Sequence, residues 1–187
     1  AVMGLLIGSF LTVVVDRVPR GASVVQPPSA CGSCGHRLGP VDLVPIASWV
    51  VLGGKCRYCK AKIGVEPIVV EVANAALFVA MGFRFGADVV VIAFCILSAA
   101  LVALTWIDLH EFRLPREITY VAFALSAPVL VVAALVNDEP SRIWKALLGA
   151  GIALAIMGLI YVASRGGMGD GDVRLAPLLG LHLGYLN

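Results

Sequence analysis

The chain has 187 residues, of which 60% are hydrophobic and only 14% charged, and its formal net charge is +2. Soluble domains carry about a quarter charged residues and less than half apolar ones. A water-soluble globular fold is therefore excluded, the composition is that of a polytopic membrane protein, and no nucleic-acid partner is expected.

The chain opens on the apolar run "AVMGLLIGSFLTVVV" (1–15), followed by a polar stretch over 16–67. Further apolar runs fall at 68–83, 89–107, 118–136 and 143–163, and a sixth begins at about 175. Val, Ala, Leu and Ile dominate each run, and none alternates with the period of a strand. Each therefore reads as a helix, which satisfies its own backbone inside a bilayer. The expected fold is all-α, a polytopic transmembrane bundle of about six helices with a cysteine-bearing loop between helices 1 and 2. Its parts are a first transmembrane helix (1–15), the loop (16–67) and a transmembrane core (68–187). The first and last runs are shorter than the roughly 20 residues that span a bilayer. Both terminal helices are expected to be truncated, and the chain to be a piece of a longer one. The opening run has neither the basic start nor the small-residue cleavage motif of a secretory signal. The sequence shows no fixed-period repeat and no low-complexity tract.

Loop charge predicts the orientation. Lys and Arg number seven in 16–67, followed by Arg84 in the next loop, then Arg113 and Arg116, then Arg142 and Lys145, and finally Arg165 and Arg174. The first, third and fifth loops thus hold eleven against three, and the positive-inside rule places them in the cytoplasm. "IDLHEFRLP" (107–115) and "GGMGDGDVR" (166–174) then share one membrane face. Asp108 ends the third helix and Asp172 starts the sixth, so two carboxylates distant in sequence can meet at one depth.

The first loop contains "CGSCGHRLGPVDLVPIASWVVLGGKCRYCK", with two C-x-x-C pairs, Cys31/Cys34 and Cys56/Cys59, 21 residues apart. A C-x-x-C turn aims two thiolates at one centre, and two such turns complete a tetrahedron around zinc. Gly32, Gly35, Gly53 and Gly54 suit the tight backbone, and Lys55, Arg57 and Lys60 offset the thiolate charge. Two disulfides or a redox dithiol are the competing readings; the reducing cytosol disfavours the disulfides. A closed four-sulfur site has no open position, so its role is structural. His36 reads as a bystander and Cys95 as a small apolar side chain in mid-helix.

A carboxylate near hydrocarbon is costly unless hydrated or paired, which makes Asp108 and Asp172 functional candidates rather than mere helix ends. Asp108 precedes the helix-stopping Leu114-Pro115. Asp172 follows Gly166, Gly167, Gly169 and Gly171, where the backbone can approach another segment closely, and it sits where a helix N-terminus favours negative charge. Two carboxyl groups about 3 Å apart share a proton, one serving as base toward water and the other as hydrogen-bond donor to a scissile carbonyl. A magnesium site or a proton path is the rival use of such a pair. Glu71 and Asn74, at i and i+3, are expected to hydrogen-bond between helices. His110, Glu111 and His182 read as turn or packing residues, and Trp49, Trp106 and Trp144 as interfacial or loop anchors.

"GLLIGSFLTVVVDRVP", the cysteine loop, "IDLHEFRLP" and "GMGDGDVRL" together resemble the bacterial type IV prepilin peptidases, over residues 4 to about 180. The resemblance implies a G-x-G-D membrane aspartic endopeptidase of the bacterial inner (cytoplasmic) membrane. Such an enzyme removes the short basic leader of type IV pilin or pseudopilin precursors, cutting after a Gly at the cytoplasmic face. Its first catalytic aspartate matches Asp108 and its second Asp172, with Asp170 in the variable position of the motif; 68–187 is then the peptidase core. Many members also methylate the new N-terminus with S-adenosylmethionine, and the zinc loop tends to accompany that form. A non-enzymatic assembly factor built on the zinc loop, and an ion or proton transporter using the same carboxylates, are the alternatives.

Overall fold

The structure, a computed structural model, describes residues 1–165 and 167–187; Gly166, one of the glycines preceding Asp172, lies outside them. Among the described residues the chain is all-helical: α1 (Val2–Arg17), a 3-10 turn (Pro40–Leu43), α2 (Ala47–Val51), α3 (Glu66–Phe85), α4 (Val90–Glu111), α5 (Arg116–Val136), α6 (Ser141–Ala163) and α7 (Asp170–Leu186). The six long helices coincide with the six apolar runs. Helices α3 to α6 are long and apolar enough to cross a membrane. The chain is a multi-pass membrane protein whose outward faces, such as Val121, Leu125, Leu159 and Val162, are apolar and exposed.

Water drives no association between such helices, so close backbone approach and polar contacts must hold them. Gly4 and Gly8 let α1 lie on α3, where an added Cβ would strike the backbone of Ala75 or Glu71. The buried Asn74 amide donates to the Gly4 carbonyl across that interface at 2.7 Å. Val70 of α3 and Leu11 of α1 then pack on Ala103 of α4. On the other side Gly149 of α6 meets Gly180 and Gly184 of α7 backbone to backbone.

Helix α7 runs antiparallel to α4. Its His182 reaches the Ala93 carbonyl near the start of α4, its Leu178 packs with Ala100 and with Ala122 of α5, and its Gly171 seats against Leu114 just after α4. The cysteine loop, the α4–α5 turn and the α6–α7 turn consequently lie at one end of the bundle. This is the shared face expected from the loop charges. Phe112 takes a left-handed conformation (φ 53°) to end α4, and Pro115 caps α5, so the turn at Leu114-Pro115 is where the sequence indicated.

Candidate functional site

The four cysteines converge. Their sulfurs all lie within 4.8 Å of one another, with Cys31 and Cys59 at 3.8 Å, and none is in a disulfide. Four sulfurs about 2.3 Å from a central zinc stand about 3.8 Å apart, so the donor set fits a tetrahedral thiolate metal site. The two C-x-x-C turns repeat the same local structure. In the first, the Cys31 amide donates to the His36 carbonyl and the Gly35 amide to the Cys31 carbonyl; in the second, Cys56 donates to Ala61 and Lys60 to Cys56. A short antiparallel bridge closes each, Ala30 with Arg37 and Lys55 with Lys62. Both need a left-handed residue at the same place, met by Gly35 (φ 69°) and by Lys60 (φ 62°). Gly53 and Gly54 also have positive φ, whereas Gly32 does not.

Charge is unevenly shared among the thiols. Amide hydrogen bonds from Cys34 and Ser33 pull Cys31 down to about 6. At Cys59 the Ala61 amide pulls downward, but burial and the neighbouring sulfurs outweigh it and push the thiol up to about 11. His36 stacks on Tyr58, with ring centroids 3.6 Å apart, and is no part of the sulfur cluster. Asp42 clasps the two turns together, accepting from Arg57 Nε at 2.7 Å, the Gly39 amide at 3.1 Å and the Tyr58 hydroxyl at 3.3 Å. The Arg57 guanidinium, helped by the Gly39 amide, holds the Asp42 carboxyl below its ordinary range.

The loop is tied to the membrane helices at Ile46. This residue sits at φ 58° and ψ −50°, the strained centre of a γ-turn, and its amide donates to Glu71 Oε2 at 2.8 Å. Trp49 covers Gly54 and donates to the Gly64 carbonyl at 3.2 Å. Trp49 is thus a loop anchor; Asn74 makes the helix-to-helix hydrogen bond expected of it, whereas Glu71 accepts from the cysteine loop rather than from a neighbouring helix.

At the same end of the bundle, Asp108 lies in the last turn of α4 and Asp172 in the first turn of α7; both are exposed. Asp108 continues the series Ala93, Leu97, Ala100, Leu104 on the side of α4 that packs toward α7. Helix α7 starts at Asp170, two residues before Asp172. Gly171 lies within that first turn and makes the close approach: a Cβ there would meet the Leu114 Cβ at 2.7 Å. The α4–α7 register, at 1.5 Å per residue, sets Asp108 and Asp172 about one helical turn apart or less in height. Asp170 is paired with Arg174 of its own helix. The side chains of Asp172 and Asp108 have no hydrogen bond or ion pair among the described residues.

On the opposite side of the α4 end, a cavity of about 410 Å³ opens between α1, α3, α4 and the root of the cysteine loop. Asp16, Arg17, Arg20, Glu66 and Glu111 supply its charges, and Trp106, stacked on His110, supplies an aromatic wall. Its volume lies within the roughly 300–1,000 Å³ of small-molecule sites. Neither this cavity nor the Gly171–Leu114 contact was evident in the sequence. A signal for close helix contacts existed in Gly4-x-x-x-Gly8 and Gly180-x-x-x-Gly184.

The chain matches the family model of the Bacterial Peptidase A24 N-terminal domain over residues 2–85 and that of the Type IV leader peptidase family over residues 95–187. It is 33% identical to a prepilin leader peptidase/N-methyltransferase of Bacillus subtilis, an alignment covering 98% of this chain and 72% of that protein. A protein of the same name from Myxococcus xanthus is 35% identical, with 97% and 54% covered. One from Pseudomonas aeruginosa is 31% identical, with 98% and 71% covered. No solved structure matches.

Proposed function

The chain belongs to the type IV leader peptidase family, and we propose that it is a membrane aspartic endopeptidase in which Asp108 and Asp172 form the catalytic pair. The substrates are type IV pilin or pseudopilin precursors, cut at the end of a short basic leader. The membrane is the bacterial inner membrane, with both acids and the cysteine loop facing the cytoplasm. The observation that carries this reading is the seating of Gly171 on Leu114. It draws the α7 N-terminus against the turn that ends α4 and supports two acids at one height.

In this reading the pair holds one proton. The ionised carboxylate removes a proton from water as the oxygen adds to the scissile carbonyl carbon, and the protonated partner donates to the carbonyl oxygen. Breakdown of the tetrahedral intermediate breaks the C–N bond while a proton passes to the leaving amine. Asp170, engaged by Arg174, takes no part.

The metal is structural zinc held by Cys31, Cys34, Cys56 and Cys59. The chain also methylates the new N-terminus, with S-adenosylmethionine supplying an electrophilic methyl group when bound. The 410 Å³ cavity suits that molecule in size. Asp16, Glu66 and Glu111 fit its ammonium and sulfonium charges, and Arg17 and Arg20 its carboxylate.

Cleavage of a pilin precursor by Asp108→Asn and Asp172→Asn in membranes tests the assignment. Each is expected to lose about 10²–10⁴ in rate. Asp170→Asn should stay within about threefold, because an exposed i,i+4 pair contributes little. Full processing by both catalytic-site variants would overturn the reading. A transporter would instead show ion flux in sealed vesicles that those two changes abolish.

A further inference from the structure

We infer that His182 is a positioning residue that sets the height of α7 on α4, and through it the height of Asp172 beside Asp108. The inference rests on the proposed role of those two acids.

The α6–α7 interface fixes α7 on α6: Gly180 and Gly184 face Gly149, Ala146 and Ala153, and a slide of one turn, about 6 Å, would drive the Ala176 Cβ into the Gly149 backbone. Helix α6 touches little of the bundle besides α7, so the two helices can shift as a unit and this interface does not set the height of α7 on α4.

His182 supplies a polar contact from α7 to α4. It is 1% exposed and lies deep in the bundle, with its ring edge-on to Phe94 at 5.1 Å and 85°. Nδ1 lies 2.8 Å from the Leu178 carbonyl of its own helix, and Nε2 lies 3.2 Å from the Ala93 carbonyl of α4. With the ring proton on Nε2, which donates to the Ala93 carbonyl, this is the only side-chain hydrogen bond among the described residues between α7 and either α4 or α5. Leu181 and Tyr185 also pack on this end of α4 and α5, but apolar packing can readjust. A ring nitrogen stranded in hydrocarbon cannot, and a single polar residue can fix the register of packed helices in this way.

The test separates the two ring nitrogens. An Asn amide reaches the position of Nδ1 and serves only Leu178, while a Gln amide reaches that of Nε2 and serves Ala93. Helix height is read by oxidative cross-linking of Ala100→Cys with Leu178→Cys, a pair packed together in the observed register. Catalysis is read as kcat and KM on a precursor peptide, in the background without those two cysteines. His182→Gln should keep the cross-link and cleavage. His182→Asn should lose most of the cross-link and about 100-fold in kcat at unchanged KM, the cost of displacing a catalytic group by about an ångström or more. His182→Phe, which keeps an aromatic ring and drops both nitrogens, is a second loss variant read the same way. An unchanged cross-link in a folded, metal-loaded Asn or Phe variant overturns the inference, as does a Gln variant that behaves like Asn. A lost cross-link with undiminished cleavage overturns instead the catalytic assignment of Asp172.

Discussion

Asp170 and Asp172 stand two residues apart in one helical turn, yet their surroundings separate them. Asp170 has a partner in Arg174, whereas Asp172 follows the glycine that touches the α4–α5 turn. Gly171 therefore carries a sharp expectation. A Cβ would collide with the Cβ, Cγ and Cδ1 of Leu114, and Leu114 is held by the neighbouring Pro115, which caps α5. Gly171→Val should push the α7 N-terminus off that turn and lower cleavage by about 100-fold. Metal content should be unchanged, because the cysteines lie on a separate segment. Equal cleavage rates for Gly171→Val and the parent on a precursor peptide would remove the Leu114 contact from the argument. The sequence pointed to Asp108, Asp172 and a close backbone approach near the glycines. It could not say which glycine makes the approach or what it meets, since that depends on the long-range pairing of α7 with α4.

The cysteine loop shows the opposite balance. Two C-x-x-C pairs define a metal site by local geometry alone, and the structure adds that both turns are one motif used twice, with Lys60 in the left-handed place of Gly35. The Asp42 clasp and the Glu71–Ile46 tie were not legible, because each joins residues 15 to 25 apart through an irregular chain. Cys34→Ser should lose the metal, measured as metal bound per chain, and should let trypsin cut at Lys55, Arg57, Lys60 and Lys62 as the loop unfolds. Cleavage should suffer less than methyl transfer, since the loop root at Ser29 and Ala30 lines the 410 Å³ cavity and Asp172 does not. Acid has a defined sign here. Asp42 is held low in the folded loop by Arg57, so its clasp is complete above the ordinary carboxylate range, about pH 4, and is lost as pH falls through the lowered value. Protons also compete with metal for the thiolates, and cysteine takes up a proton at far higher pH than a carboxylate does. Zinc release, followed by metal content against pH, should therefore precede the loss of the Asp42 clasp. Asp42→Asn should leave the midpoint of zinc release nearly unmoved.

Across the whole molecule the helices fall into two groups that share α4. Helices α1 and α3 with the cysteine loop lie on one side, and α5 and α7 lie on the other, with α6 held chiefly by α7. The apolar runs foretold the six long helices but not this grouping, because every run is apolar on all sides and carries no stripe that names its neighbour. What distinguishes the neighbours is where a side chain is missing. Only 11% of the apolar window of α6 is buried, and the burial centres on Gly149 and the alanines beside it. A side chain at Gly149 would strike the Gly180 carbonyl and the Gly184 backbone, neither of which can rotate away. Gly149→Leu should therefore separate α6 from α7. With α6 displaced, α7 keeps its contacts to α4 and α5 but loses the surface that presses it there, and cleavage should fall. The group built on α1 and α3 does not touch this interface, so zinc content and the trypsin resistance of the loop should persist. Measured together, lost cleavage with retained zinc marks two structural groups meeting at α4. Loss of zinc in a folded Gly149→Leu variant would show that the grouping is wrong and that the cysteine loop depends on the far side of the bundle.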